Sequence, residues 1–195
     1  MGRPERQSAD LSYTRHFILL ACFSALLAAT TGLQASTGPA VSFAAYGALH
    51  ASALLLSLRA RRAPWRLVSF IAVAAMLSVI TVRLGITGMH VFGAAPGTAR
   101  FYAVSGFCAI TGATMYGFLI RLEGVLELSV REIVLISIGC MLSTFVAMVM
   151  VLHSRYLGRW WLAVLWWYAF SAGLWYFDRR QTAVNRPRQI SPSSA

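Results

Sequence analysis

Three features of the sequence predict an all-α membrane protein: a six-span transmembrane helix bundle with cytoplasmic termini and short loops. Apolar runs of roughly 20 residues, enough to cross ~30 Å of hydrocarbon, recur along the chain. Hydrophobic residues make up 58% of it and charged ones 12%, whereas a soluble domain is about a quarter charged. All 17 basic residues are arginine, and they gather between the apolar runs instead of on one face.

The first span, 16–35, falls within "RHFILLACFSALLAATTGLQAS". Its basic start and small-residue end also resemble a secretory signal, but the apolar run is long for one and Leu33 suits a cut after Ala35 poorly. Cleavage would leave five spans. "STGPA" leads to the second span, 41–58, and "RARRAPWR" to the third, 67–92. "GAAPGTA" supplies the Gly and Pro that break the chain before the fourth, 101–121. In the connector "RLEGVLELSVRE", Glu123, Glu127 and Arg131 step by four, which predicts a helix continuing past the bilayer. The fifth and sixth spans are 132–153 and 160–178. Residues 1–15 read as a cytoplasmic segment, and 179–195 as a disordered basic tail rich in Pro and Ser.

Orientation follows from arginine. With the N-terminus inside, thirteen arginines from Arg3 to Arg188 are cytoplasmic, and only Arg83, Arg100, Arg155 and Arg159 lie in or beyond the membrane. The positive-inside bias selects that choice. Arginine without lysine suits a GC-rich bacterial genome, and so a bacterial inner membrane. A nucleic-acid partner needs a basic face that this distribution lacks. Cys22, Cys108 and Cys140 all fall in apolar segments with no paired spacing, so they read as small hydrophobes, not as a disulfide or zinc framework.

The stretch "RWWLAVLWWYAFSAGLWYFDRR" holds five of the six tryptophans. Trp160 and Trp161 at one end, and Trp175 and Tyr176 at the other, match aromatic belts at the two headgroup levels. Trp166, Trp167 and Tyr168 lie deeper and cannot all share one helix face. Belt and packing roles therefore outrank an aromatic cage for a quaternary cation or a quinone.

On the second span Ser42, Tyr46 and His50 form one stripe, with His50 near mid-membrane. Ala40, Ala44, Ala48 and Ser52 form another. The sets Ser105–Ala109–Ala113–Gly117, Ala28–Gly32, Gly139–Ser143–Ala147 and Ala169–Gly173 repeat the small-residue spacing that lets helices approach closely. They predict a tight bundle and, besides lipid, self-association or other membrane subunits as partners.

Arg83 is deep in the third span, where a centred arginine costs ~2.5–3.5 kcal/mol. The six acidic residues all fall on the cytoplasmic side. Arg83 snorkels to the periplasmic headgroups, which makes "LGITGMHVFGAAPG" an interfacial or re-entrant segment, or bonds helix-end carbonyls, or meets an anion in a cavity. With Thr31, Gln34, Thr87, His90, Tyr102, His153 and Arg155 it makes a cationic, acid-free rim. That rim is either a periplasm-facing vestibule for an anionic or hydrogen-bonding solute or ordinary interfacial polarity.

Two histidines, His90 and His153, at a matching level allow a haem, but no ligand spacing accompanies them. His16 reads as a positive-inside boundary residue. No catalytic constellation or phosphate loop is present, so no enzyme activity, metal or cofactor is expected. Two functions remain. One is a small-solute transporter or channel, or a subunit of one, with Arg83, His90, His50, Tyr46, Tyr102 and His153 lining the path. The other is a non-catalytic accessory or assembly subunit, with a haem- or quinone-binding redox subunit behind both. Reporter fusions at Arg62 and at the C-terminus should both report cytoplasm; a periplasmic signal at Arg62 overturns the orientation and every placement built on it.

Overall fold

Short local signals set the helix ends. Pro39 and Pro64 each open a helix, where the first N–H groups have no partner in any case. The computed structural model describes residues 12–29, 39–57, 64–153 and 160–185, and among these it has six α-helices and no strand. They are α1 (Tyr13–Ala29), α2 (Pro39–Ser57), α3 (Pro64–Val91), α4 (Ala99–Leu122), α5 (Val130–His153) and α6 (Trp160–Asn185).

Three local expectations are corrected. Helix α3 runs unbroken through Arg83 to Val91, so no re-entrant segment follows that arginine. It stops where Gly93 takes a φ of 56° and the Ala94 N–H donates to the Met89 carbonyl at 2.9 Å. Thr98 then caps α4, its hydroxyl accepting the Phe101 N–H at 3.3 Å. The connector after α4 is a turn, not a continued helix. Gly124 takes a φ of 60°, and the Val125 N–H reaches back to the Ile120 carbonyl at 2.8 Å. Ser129 and Glu132 start α5 as a reciprocal cap: the Glu132 N–H donates to Ser129 Oγ at 3.3 Å, and the Ser129 N–H to Glu132 Oε2 at 2.8 Å. Finally, residues 179–185, expected to be disordered, extend α6 to Asn185. Nothing in them breaks a helix before Pro187.

Each helix packs against its neighbours in sequence, and α6 returns to α1, so the six close into a ring in chain order. Neighbours are antiparallel. Along α3 and α4, Gly85 faces Cys108 while Gly112 faces Thr81; along α4 and α5, Gly106 faces Phe145 while Gly117 faces Ile133. At the α1–α6 seam the Tyr13 hydroxyl donates to the Leu174 carbonyl at 3.2 Å, and Phe17 stacks on Tyr168. The ring thus has two ends, one at loop 92–98 and the other at loop 123–129.

Small residues permit the close approaches, though not all those expected. Ser105, Ala109, Ala113 and Gly117 are all buried. On α2 the decisive residue is Gly47, off the expected stripe: a Cβ there would sit 2.6 Å from the Ala74 carbonyl oxygen of α3. Ala44 and Ala48 are only half-buried, and a Cβ on Gly139 would meet nothing within 4 Å. Gly32 lies outside the described residues.

Polarity runs inside out relative to a soluble protein. His16, His50, Ser105 and Ser171 are buried, while Val68, Met76, Leu84, Phe107, Leu142 and Val146 are exposed. An apolar surface on that scale marks a face for lipid or protein, not for water. Helices α3, α4 and α5 are long and apolar enough to cross a membrane, and Tyr13–Leu26 and Val41–Ser57 are shorter apolar helices. In α6, tryptophan and tyrosine bring polar N–H and O–H groups into an otherwise apolar run.

The α2–α3 contact is testable by adding one methyl group. Gly47→Ala should lower stability by about 1–3 kcal/mol, because a backbone carbonyl cannot yield as a side chain does. Gly139→Ala should be neutral or gain up to about 1 kcal/mol of helix propensity. Detergent unfolding midpoints of the two variants decide the matter, and an unchanged midpoint for Gly47→Ala rules out the close approach.

Candidate functional site

Four helices each contribute one polar side chain to a buried chain of hydrogen bonds. His50, at the middle of α2, is 2% exposed. Its Nδ1 lies 3.0 Å from the Tyr116 hydroxyl of α4, and its Nε2 lies 3.1 Å from Ser171 Oγ of α6. The same Ser171 oxygen lies 2.9 Å from His16 Nε2 on α1. A serine hydroxyl has one proton, so Ser171 donates to one imidazole and accepts from the other. Two arrangements follow. If Ser171 donates to His16, His50 donates through Nε2 and the Tyr116 hydroxyl donates to His50 Nδ1. If Ser171 donates to His50, His50 Nδ1 donates to Tyr116 and the phenolic proton is released for another acceptor.

Aromatic rings hold this chain in place. Trp167 stacks on His50 with centroids 3.9 Å apart and planes at 17°. Tyr116 meets Trp167 and Phe170 edge-on at 5.3 and 5.1 Å. At the far end His16 Nδ1 has no hydrogen-bond partner. The Ala53 carbonyl, which accepts the Ser57 hydroxyl at 2.6 Å, lies nearby and has a second lone pair for His16. The acidic residues of the described segments, Glu123, Glu127, Glu132 and Asp178, all lie toward the 123–129 end. No carboxylate enters the chain, and no three His, Cys, Asp or Glu residues converge on a metal geometry among the described residues.

Toward the 92–98 end the helices leave a partly open space. A cavity of about 240 Å³ lies between α2, α3, α4, α5 and α6. Tyr46, Tyr116 and Trp167 close it on the side of His50, and Trp166 lines it as well. Across the Tyr46–Trp167 wall, a second space of about 20 Å³ reaches His50 and Leu20. Among the described residues, no charged side chain lines either space. Three of the four serine and threonine hydroxyls on the larger wall are committed to their own helix: Ser78 donates to the Ala74 carbonyl at 3.0 Å, Thr81 to Leu77 at 2.8 Å and Thr144 to Cys140 at 2.8 Å. Ser105 Oγ is buried and has no partner.

The residues expected to line a path separate into two groups. Tyr46 and His50 are buried one turn apart at the bundle centre. Arg83 is exposed on α3 and does not border the cavity, whose α3 wall includes Thr81, Gly85 and Met89. His90 and His153 are exposed near the 92–98 end, and His153 Nδ1 donates to the Val149 carbonyl at 2.8 Å. Tyr102 is half-buried, edge-on to Phe145 at 6.4 Å. Thr87 is exposed, and Thr31, Gln34 and Arg155 lie outside the described residues.

Sequence reasoning missed three members of the chain. His16, read as a boundary residue, is fully buried one turn into α1. Ser171 and Tyr116 carried no more signal than a polar atom within an apolar run. The tryptophans divide as helical geometry requires: Tyr168 turns away to Phe17. Trp166 and Trp167 nevertheless both face the cavity, a role ranked below packing from the sequence. Trp175 is exposed beneath the Arg179 guanidinium, 4.8 Å from its ring, as at a headgroup level. Comparison with protein-family models, curated proteins and solved structures finds no match to this chain.

Ser171 is the junction of the chain, so its removal should cost more than loss of an ordinary helix-to-carbonyl hydroxyl. Ser171→Ala leaves two buried imidazole nitrogens short of a partner and should destabilise by roughly 2–4 kcal/mol. Ser52→Ala, which removes only a bond to the Ala48 carbonyl, should stay within about 0.5 kcal/mol. Equal unfolding midpoints for the two variants would exclude a joined His16–Ser171–His50 chain.

Proposed function

We propose that the chain is a six-span protein of a bacterial inner membrane with both termini cytoplasmic, and that it moves a small neutral solute by coupling to protons. The 123–129 end is then cytoplasmic, in keeping with Arg15, Arg66, Arg121, Arg131, Arg179 and Arg180 at or near that end. The observation that carries the reading is the His16–Ser171–His50–Tyr116 chain ending at a cavity wall. The uncharged wall supports a neutral solute, because an ion there would lose its hydration with no compensating charge. A neutral, mainly apolar molecule crosses lipid unaided, so moving it is useful only when the movement is driven uphill. The hydrogen-bonded chain offers a means. Its two arrangements differ in whether the Tyr116 proton is held by His50 or available to the cavity, and a proton passed along it switches one to the other.

The test uses the purified chain in vesicles containing a pH-sensitive dye. Under an imposed membrane potential, benzyl alcohol should increase proton entry, and Ser171→Ala should return entry to the level of protein-free vesicles. Wild-type vesicles that pass no protons, with or without the alcohol, would remove the coupling. A stable complex with another membrane protein in mild detergent would then favour the accessory-subunit reading.

A further inference from the structure

We infer that the 240 Å³ cavity is a binding site for an uncharged, mainly apolar molecule of roughly ten non-hydrogen atoms bearing one hydroxyl or carbonyl, which Ser105 anchors. The inference rests on reading the bundle interior as the solute site, and it adds the chemistry of that solute. Size comes first. A dry cavity of about 150 Å³ holds benzene, so this one takes a single substituted ring or a branched chain of similar bulk. Trp166 and Trp167, edge-on at 4.4 Å, present apolar ring surface to it.

Ser105 gives the polar requirement. It is 6% exposed and belongs to the cavity wall, and among the described residues its Oγ, itself buried within that wall, bonds to nothing; rotation about χ1 brings the hydroxyl to a ligand in the space. Ser78, Thr81 and Thr144 around the same space all donate to a carbonyl one helical turn back. A buried hydroxyl without a partner is unfavourable in the empty protein. A ligand hydroxyl or carbonyl beside it removes that penalty, and an apolar ligand does not. Recognition therefore joins ring-sized bulk to one hydrogen bond and excludes ions. A lipid acyl chain shares the bulk but has no polar group at that depth.

The experiment follows quenching of tryptophan fluorescence by brominated probes, with the full chain in lipid nanodiscs. Ser105→Leu puts a branched apolar side chain into the part of the cavity beside the anchor, and Ser105→Ala removes only the hydroxyl. 4-Bromobenzyl alcohol should give a saturable component in the wild type that is lost in Ser105→Leu. Ser105→Ala should weaken it about threefold to tenfold, the range of one net hydrogen bond, with a thermal midpoint at or above wild type. Binding of 4-bromotoluene should not change with Ser105→Ala, and 4-bromobenzoate should show no saturable component. Equal affinity of the alcohol for wild type and Ser105→Ala overturns the anchor. Saturable quenching by a dibrominated phosphatidylcholine that the alcohol does not displace makes the cavity an acyl-chain niche and overturns the site. Probe binding without proton movement leaves this site standing and removes the transport reading; proton movement without saturable probe binding does the reverse.

Discussion

Both ring nitrogens of His50 are satisfied by side chains from other helices, and the bundle is organised around that requirement. A buried imidazole has two hydrogen-bonding positions and no water to fill them, and each one left open costs roughly 1–3 kcal/mol. Tyr116 and Ser171 must therefore reach the same level of the bundle together, and Ser171 brings His16 with it. Helices α1, α2, α4 and α6 are thereby held in register at one depth. Helices α3 and α5 add no side chain to that network. They are held mainly by shape, α3 against the bare backbone of Gly47 and α5 through side chains seated on Gly106, Gly117 and Gly173, with one hydroxyl pair, Thr114 Oγ1 and Ser137 Oγ 3.0 Å apart, joining α4 to α5. Polar satisfaction sets the register, and close packing closes the ring.

The cavity is a consequence of the same arrangement. Stacking on His50 commits Trp167 to one orientation, and Tyr116 and Phe170 fill the space beside it. These large rings complete the core on the 123–129 side. On the other side the wall carries small residues such as Gly85, Ser105, Ala109 and Gly112, and their side chains cannot fill the space between the helices. Trp167 belongs to both regions, one part against His50 and another against the cavity. The same ring therefore borders the cavity and packs against the hydrogen-bonded histidine.

The exposed residues show a different logic. Arg83 is exposed on α3 beside Leu84, also exposed, while its neighbour Val82 borders the cavity. A long side chain with a charged end can run along an apolar surface toward polar surroundings, so an outward arginine is compatible with the apolar helix that carries it. The positive charge consequently stays off the cavity, and the interior is polar without being charged.

The all-helical class, the helix count among the described residues, most of the helix limits and the buried His50–Tyr46 stripe were all legible in the sequence. These properties depend on runs of side-chain hydropathy, on prolines and glycines between them, and on one-turn spacing within a single helix. The Ser129–Glu132 cap and the lack of any breaker before Pro187 in α6 are local signals of the same kind. What only the tertiary structure decided is which helices meet. His16, Ser171 and Tyr116 are separated along the chain by tens of residues, and nothing in hydropathy tells a polar atom that bonds its own helix from one that bonds across the ring. Gly47 rather than Ala44 or Ala48 makes the close approach because helix rotation, set by the neighbours, chooses the contacting face. The cavity was invisible for the same reason: it is a space between five helices, and its existence depends on how side chains from all of them fail to fill it.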